Sequence, residues 1–205
     1  EHLLINTQAK AAYVQSDEIS LAWMPSEHGE HFFGGKPMKM ASVLAGMATA
    51  AFMRALLADR DGLSSYADRM PHFDARVVEM PNRFETAQMF SWRGQDARRN
   101  GINQIGHAFF PPKSLFGVST SGVSELLRDN GIKLTDYSDA NRNGTLLLRR
   151  GFERVLTTEE LNRIPEHARP EPDRTFIRNE TIKVTSVHPG RIENLEAVIF
   201  DCADP

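Results

Sequence analysis

Hydrophobic and polar residues alternate most clearly over residues 18–24. Ile19, Leu21 and Trp23, with Met24 following, alternate with Ser20 and Ala22, the period-two pattern of a half-buried strand. Residues 11–16 pair with it as the other arm of a hairpin. Over residues 1–10, Leu3 and Leu4, with Ala11, share one face, as in the tail of a helix. Gly29, Gly34, Gly35 and Pro37 punctuate a loop. Residues 39–57 then carry Met40, Val43, Leu44, Met47, Ala51, Met53 and Leu57 without an internal proline, which predicts a long buried helix. A polar loop over 59–72 leads to FDARVVEMP at 73–81, a strand stopped by Pro81. Residues 82–104 form a second long helix, with Asn82 as its cap and Phe84, Ala87, Phe90 and Ala97 on its apolar side.

After Pro111-Pro112, a short helix spans 123–129 and closes at Asn130-Gly131; GTLLLRR at 144–150 is a strand. A short helix follows Thr157, then a Pro-rich stretch at 165–172. Residues 174–188 and 191–200 read as a terminal strand pair joined at Pro189-Gly190. The order predicts an α+β fold with helices on one face of a largely antiparallel sheet. Residues 1–150 form the main domain and 151–205 a C-terminal extension.

Composition narrows the function. The chain has 205 residues, a formal net charge of -3 and 40% hydrophobic residues, ordinary for a globular fold. No global basic charge points to nucleic acid, so such binding requires a local patch. The single cysteine, Cys202, excludes an internal disulfide framework and a Cys-based zinc site. A reducing, cytoplasmic setting is expected. No apolar run is read as a membrane span, and no membrane partner is expected. The first ten residues lack the pattern of a signal peptide.

Three stretches carry candidate chemistry. Ser16-Asp17-Glu18 sits at the hairpin tip. Adjacent carboxylates there suit a hard cation such as Mg²⁺, held by one or two carboxylates plus substrate phosphates. Asp and Glu also occur in such turns for local reasons alone. Phe32-Phe33-Gly34-Gly35-Lys36-Pro37-Met38-Lys39 precedes the first long helix. Its glycines allow close approach of a ligand, and Lys36 and Lys39 lie near amides that favour anions. A triphosphate cradle and a turn with solvated lysines both fit. In the second long helix, Arg93, Asp96, Arg99 and Asn100 share a face, either as a surface salt-bridge row or as guanidiniums offered to phosphate. Lys113, Arg142, Arg149 and Arg150 extend such a basic surface. His28 and His31 read as surface residues, and neither a nucleophile elbow nor a Rossmann fingerprint is present.

Taken in order, AYVQSDEISL, FFGGKPMKMASVLA, FDARVVEMP, FSWRGQDARRNGI and NRNGTLLLRR resemble the tRNA-His guanylyltransferase family, in its bacterial and phage-type, guanylyltransferase-like branch. The resemblance runs from about residue 3 to 150, with an echo in IPEHARPEP at 164–172. It implies a polymerase-like palm, a ferredoxin-like sheet backed by two long helices. It implies addition of nucleotides to tRNA 5′ ends in the 3′-to-5′ direction, with GTP and ATP as substrates, two Mg²⁺ ions and assembly as a homo-oligomer, a tetramer. Carried over, Asp17 is a metal-binding carboxylate and, with Glu18, catalytic. Ser16, Lys36 and Lys39 bind nucleotide phosphates. Arg76, Arg93, Arg99 and Asn100 face the active site and tRNA.

Two departures matter. Arg98-Arg99-Asn100-Gly101 stands where eukaryotic members carry His-Ile-Asn-Asn, which favours the broader repair branch over strict tRNA-His specificity. The resemblance also implies an earlier strand bearing an Asp-Gly pair, whose Asp is a second metal ligand. This sequence opens at the helix just before the hairpin, so low activity is expected of these residues alone. A non-catalytic nucleotide- or RNA-binding remnant and one half of a split enzyme are the alternatives.

Overall fold

The computed structural model describes residues 1–25, 31–59, 62–170, 175–184 and 187–203. Gly29, His28 and the last two positions of the Pro-rich stretch lie outside the described residues. Helix α1 (His2–Thr7) leads into strands β1 (Ala11–Gln15) and β2 (Glu18–Ala22), then α2 (Pro37–Ala58) and α3 (Arg83–Phe109). Short helices α4 (Pro112–Leu115), α5 (Thr120–Asp129) and α6 (Asp139–Asn143) precede β3 (Thr145–Val155). Helix α7 (Thr158–Arg163), β4 (Thr175–Val184) and α8 (Leu195–Phe200) complete the chain. Among the described residues the sheet has the order β2-β1-β3-β4, with every pairing antiparallel.

Strand alternation decides which helix covers which face. Ala11 and Tyr13 of β1 and Leu146 and Leu148 of β3 meet Ala87, Phe90 and Ala97 of α3 and Leu195, Val198 and Ile199 of α8. The alternate positions Ala12 and Leu147, with Leu21 and Trp23 beside them, meet Leu4 and Ala9. Beyond them Leu3, Ile19 and Leu21 meet Met40, Leu44 and Ala48 of α2. The expectation of helices on one face is therefore corrected. Strand β1 is buried on both sides, and a strand apolar on both faces requires cover on both.

Helix α2 forms where its composition predicts, but it is not a buried helix. Only Met40, Leu44 and Ala48, one stripe four residues apart, are buried. Met38, Phe52 and Leu57 are 85%, 43% and 63% exposed. Its apolar residues encircle the axis, and the sheet receives only one stripe of them. At 22 residues and a mean hydropathy of 1.6, α2 also has the length and composition of a bilayer span, against the expectation that no run does.

Residues 73–81 do not form a strand. Phe73, Ala75 and Val77 pack toward the α2 stripe, and the Phe73 N–H donates to Thr49 Oγ1 at 3.0 Å. A helix surface satisfies the period-two pattern here, and no ladder partner occurs among the described residues. Likewise the predicted terminal strand pair is only half right. β4 pairs with β3, whereas residues 195–200 form α8 after a 3₁₀ turn at Pro189–Arg191. Leu195, Val198 and Ile199 are spaced three and four apart, which suits a helical stripe on α3 better than a strand.

Helix α3 carries the site. The Asn82 side chain accepts from the Glu85 N–H at 2.8 Å, the expected cap. Phe84 is exposed, since contact with the sheet begins at Ala87. Gly94 and Gly101 let other elements approach. A Cβ at Gly101 would lie 2.6 Å from the Asn141 carbonyl oxygen, and one at Gly94 3.0 Å from the His188 ring. These contacts offset the roughly 1 kcal/mol a helical glycine costs.

Candidate functional site

The β1–β2 hairpin turns on two residues, Ser16 and Asp17, with Gln15 opposite Glu18. Ser16 takes φ 46°, the left-handed conformation that two-residue turns require. This geometry separates the two acids. Asp17 projects from the turn, exposed and without an ion-pair partner among the described residues. Glu18, the first residue of β2, is held by Arg93 of α3 in an ion pair. Arg93 Nη1 also reaches Asp96 at 3.1 Å, and Asp96 binds Arg99 at 2.7 Å. The result is a ladder of alternating charge, Glu18–Arg93–Asp96–Arg99. The Arg93 and Asp96 side chains are 19% and 16% exposed, so its centre is screened from water. Arg93 is thus engaged by two carboxylates rather than presented to phosphate. Arg99, at the outer end, keeps most of its guanidinium in solvent.

Beside the turn lies a cavity of about 170 Å³, lined by Gln15, Ser16, Asn100, Gly101, Gln104 and Asn141 among others. It is built from amides and carries no formal charge. Gln104 Nε2 donates to Ser16 Oγ at 3.4 Å, while Gln15 Oε1 is buried without a partner. Asn100 therefore faces a hydrogen-bonding cavity instead of a phosphate row. Gln15, Gln104 and Asn141 were not among the candidate residues. The legible signal was Gln15, a polar side chain within the buried strand AAYVQ.

Tyr13 secures this wall. Its hydroxyl donates to the Asn143 carbonyl, at the end of α6. Burial pushes its phenol up to about 12, with the Arg93 charge pulling the other way, so the hydroxyl stays a donor at neutral pH.

The remaining candidates do not converge on the turn. Lys36 caps α2 and Lys39 lies in its first turn, with Lys39 Nζ 5.6 Å from the Phe33 ring centroid. Arg76 pairs with Asp74 at 3.2 Å on the segment beside α2, both side chains exposed. These three stand with α2, and Arg93, Arg99 and Asn100 with α3, on opposite faces of the sheet. The expected continuous basic surface is thereby divided. Two of its proposed extensions are spent internally: Arg150 donates to the Val198 carbonyl at 2.6 Å, and Arg142 to the Tyr137 carbonyl at 3.1 Å.

No three His, Cys, Asp or Glu side chains among the described residues gather to hold a metal ion. The free Asp17 carboxylate, beside the Ser16 hydroxyl, fits a hard cation that takes its other ligands from substrate phosphates and water. The described donors do not fit two ions held by protein alone.

Comparison with known proteins places this geometry. Residues 1–81 match the model of the family described as Thg1, tRNAHis guanylyltransferase. The tRNA(His) guanylyltransferase of Debaryomyces hansenii is 24% identical over 167 residues, 71% of this chain and 62% of that protein. A bacterial tRNA(His) guanylyltransferase (Thg1)-like protein solved in complex with ATP is 32% identical, with a TM-score of 0.62 over 72% of this chain and 64% of that one. A bacterial Thg1-like protein in complex with GTP shares the fold over 97% of this chain and 73% of its own, at 22% identity and a TM-score of 0.62. The chain thus spans less than two thirds of the length of the yeast relative and of the ATP complex.

Proposed function

We propose that this chain is a member of the tRNAHis guanylyltransferase (Thg1) family, whose model its residues 1–81 match, and that it adds nucleotides to the 5′ end of tRNA, in the 3′-to-5′ direction and with Mg²⁺. The observation that carries this reading is the hairpin turn. It leaves Asp17 free, ties Glu18 to Arg93, and sets both beside a neutral cavity. A bound Mg²⁺ would supply charge neutralisation at the phosphate oxygens. Asp17 would hold that cation, and the Ser16 hydroxyl would lie against the triphosphate. Arg93 fixes Glu18 at the start of β2, so the turn keeps one orientation. The unpartnered Gln15 Oε1, with Asn100 and Gln104, offers hydrogen bonds to the sugar or base of the incoming nucleotide. Lys36 and Lys39 sit at the N-terminal end of α2, away from the turn, where amides and dipole would attract a phosphate group. The solved relatives with ATP and GTP support those two as substrates.

The test supplies the chain with a 5′-monophosphorylated tRNA lacking its first nucleotide, ATP, labelled GTP and Mg²⁺. Label joined to the tRNA 5′ end is expected, and chelation by EDTA abolishes it. Binding of tRNA and triphosphate without transfer would favour the non-catalytic alternative.

We also propose that the chain assembles with copies of itself through the exposed side of α2. Phe52 and Leu57 stand in solvent on a helix that buries only one stripe. The double variant Phe52→Glu/Leu57→Glu is expected to sediment as a smaller species with unchanged helical content. An unchanged sedimentation coefficient would remove α2 from the interface.

A further inference from the structure

The side of α3 turned away from the hairpin carries a second cavity, of about 350 Å³. Gln95, Arg98, Arg99 and Ile102 are spaced as one helical face, roughly half a turn round from Arg93, Ala97, Asn100 and Gln104. Thr120 at the start of α5, and His188 and Arg191 from the turn before α8, complete the lining.

Its charge is one-sided. Three guanidiniums line the cavity and no carboxylate does. Among the described residues only Arg99 has an ion-pair partner, Asp96. The His188 ring is only 8% exposed, and its Nδ1 accepts from the Gly190 N–H at 3.0 Å. Burial, and then the charges of Arg98 and Arg191, hold its pKa below the ordinary histidine value, against a raising contribution from the Gly94 backbone. Like charges gathered around a neutral ring are costly unless an anion offsets them. The Thr120 hydroxyl and the first turn of the ten-residue α5 add donors of the same preference.

We propose that this cavity is a phosphate site that takes the backbone of the bound RNA. Arginine forks suit phosphate oxygens. No Phe, Tyr or Trp ring lines the cavity to stack a base, and the His188 ring is too deeply buried to offer its face, so the site engages phosphate rather than nucleobase. It lies across a helix about 10 Å thick from the hairpin turn, a separation a long polyanion covers and a triphosphate held at the turn does not. The inference rests on the tRNA reading above, and it assigns the residues after 187 to substrate binding.

Two measurements on the full chain test it, with Arg98→Ala/Arg191→Glu as the variant. Both residues are exposed, so the fold survives the change. In the first, inorganic phosphate is titrated while the His188 ring resonances are followed by NMR. A saturable shift in the unmodified protein, lost in the variant, is expected. In the second, tRNA affinity is measured against salt concentration. Loss of one or two phosphate contacts should flatten the slope of log K against log salt by about 1–2. No phosphate-induced shift at His188 would overturn the site. A shift with an unchanged RNA slope would overturn the RNA assignment and leave a small-anion site. If the unmodified protein binds no tRNA, the proposed function falls, while the phosphate titration still decides the cavity.

Discussion

Asp17→Ala is expected to cut transfer of labelled nucleotide about 10²–10³-fold, the several kcal/mol attributed to a phosphate-bound cation. Among the described residues Asp17 is the carboxylate at the turn that no guanidinium engages, so it is the one free to meet a cation. Its exposure predicts a stability change within about 0.5 kcal/mol. The variant should therefore melt at the temperature of the parent and bind tRNA as well. Asp17→Asn is the sharper control, because it keeps the shape and removes the charge. Transfer by either variant at the parental rate would mean that Asp17 holds no metal.

Arg93→Ala should act on both stability and transfer. The change leaves Glu18 without its partner and strips Asp96 of one of two. Breaking a buried pair costs about 3–5 kcal/mol, and an exposed one about 0–1. Arg93 and Asp96 are mostly buried and Glu18 is 44% exposed, so a loss of about 1–3 kcal/mol is expected. Transfer should fall as well, because Glu18 then no longer anchors the turn against α3. Arg93→Lys should rescue poorly, since an ammonium cannot bridge two carboxylates with a planar fork. A cycle with Glu18→Ala isolates the pair: additive losses in melting free energy would show that the two residues do not couple.

The hairpin and both long helices were legible because each is specified locally. Ile19, Leu21 and Trp23 alternate at period two, and Asn82 supplies a cap to the helix that follows. The site was legible only in part. The acid pair and the row of α3 charges stood out as residue types, and the structure brings them together in one ladder. Which acid stays free did not stand out, because that depends on the pleat of β2 pointing Glu18 at α3. The amide cavity was missed for a similar reason. Gln15, Gln104 and Asn141 come from three distant parts of the chain and carry no charge pattern. His188 was assigned no role, since its burial depends on a glycine nearly a hundred residues earlier.

By itself the sequence determined where the chain turns, where α2 and α3 run, and which motifs resemble those of the tRNAHis guanylyltransferase family. Those features depend on neighbours a few residues apart, through sterics, capping and periodicity. Tertiary structure alone decided that the sheet is covered on both faces, that Phe73, Ala75 and Val77 pack on a helix rather than in a ladder, and that residues 195–200 form a helix instead of pairing. It also decided that the basic candidates divide between α2 and α3. In each case the local pattern permits more than one apolar partner. The choice is made by whichever surface buries the pattern when the whole chain packs.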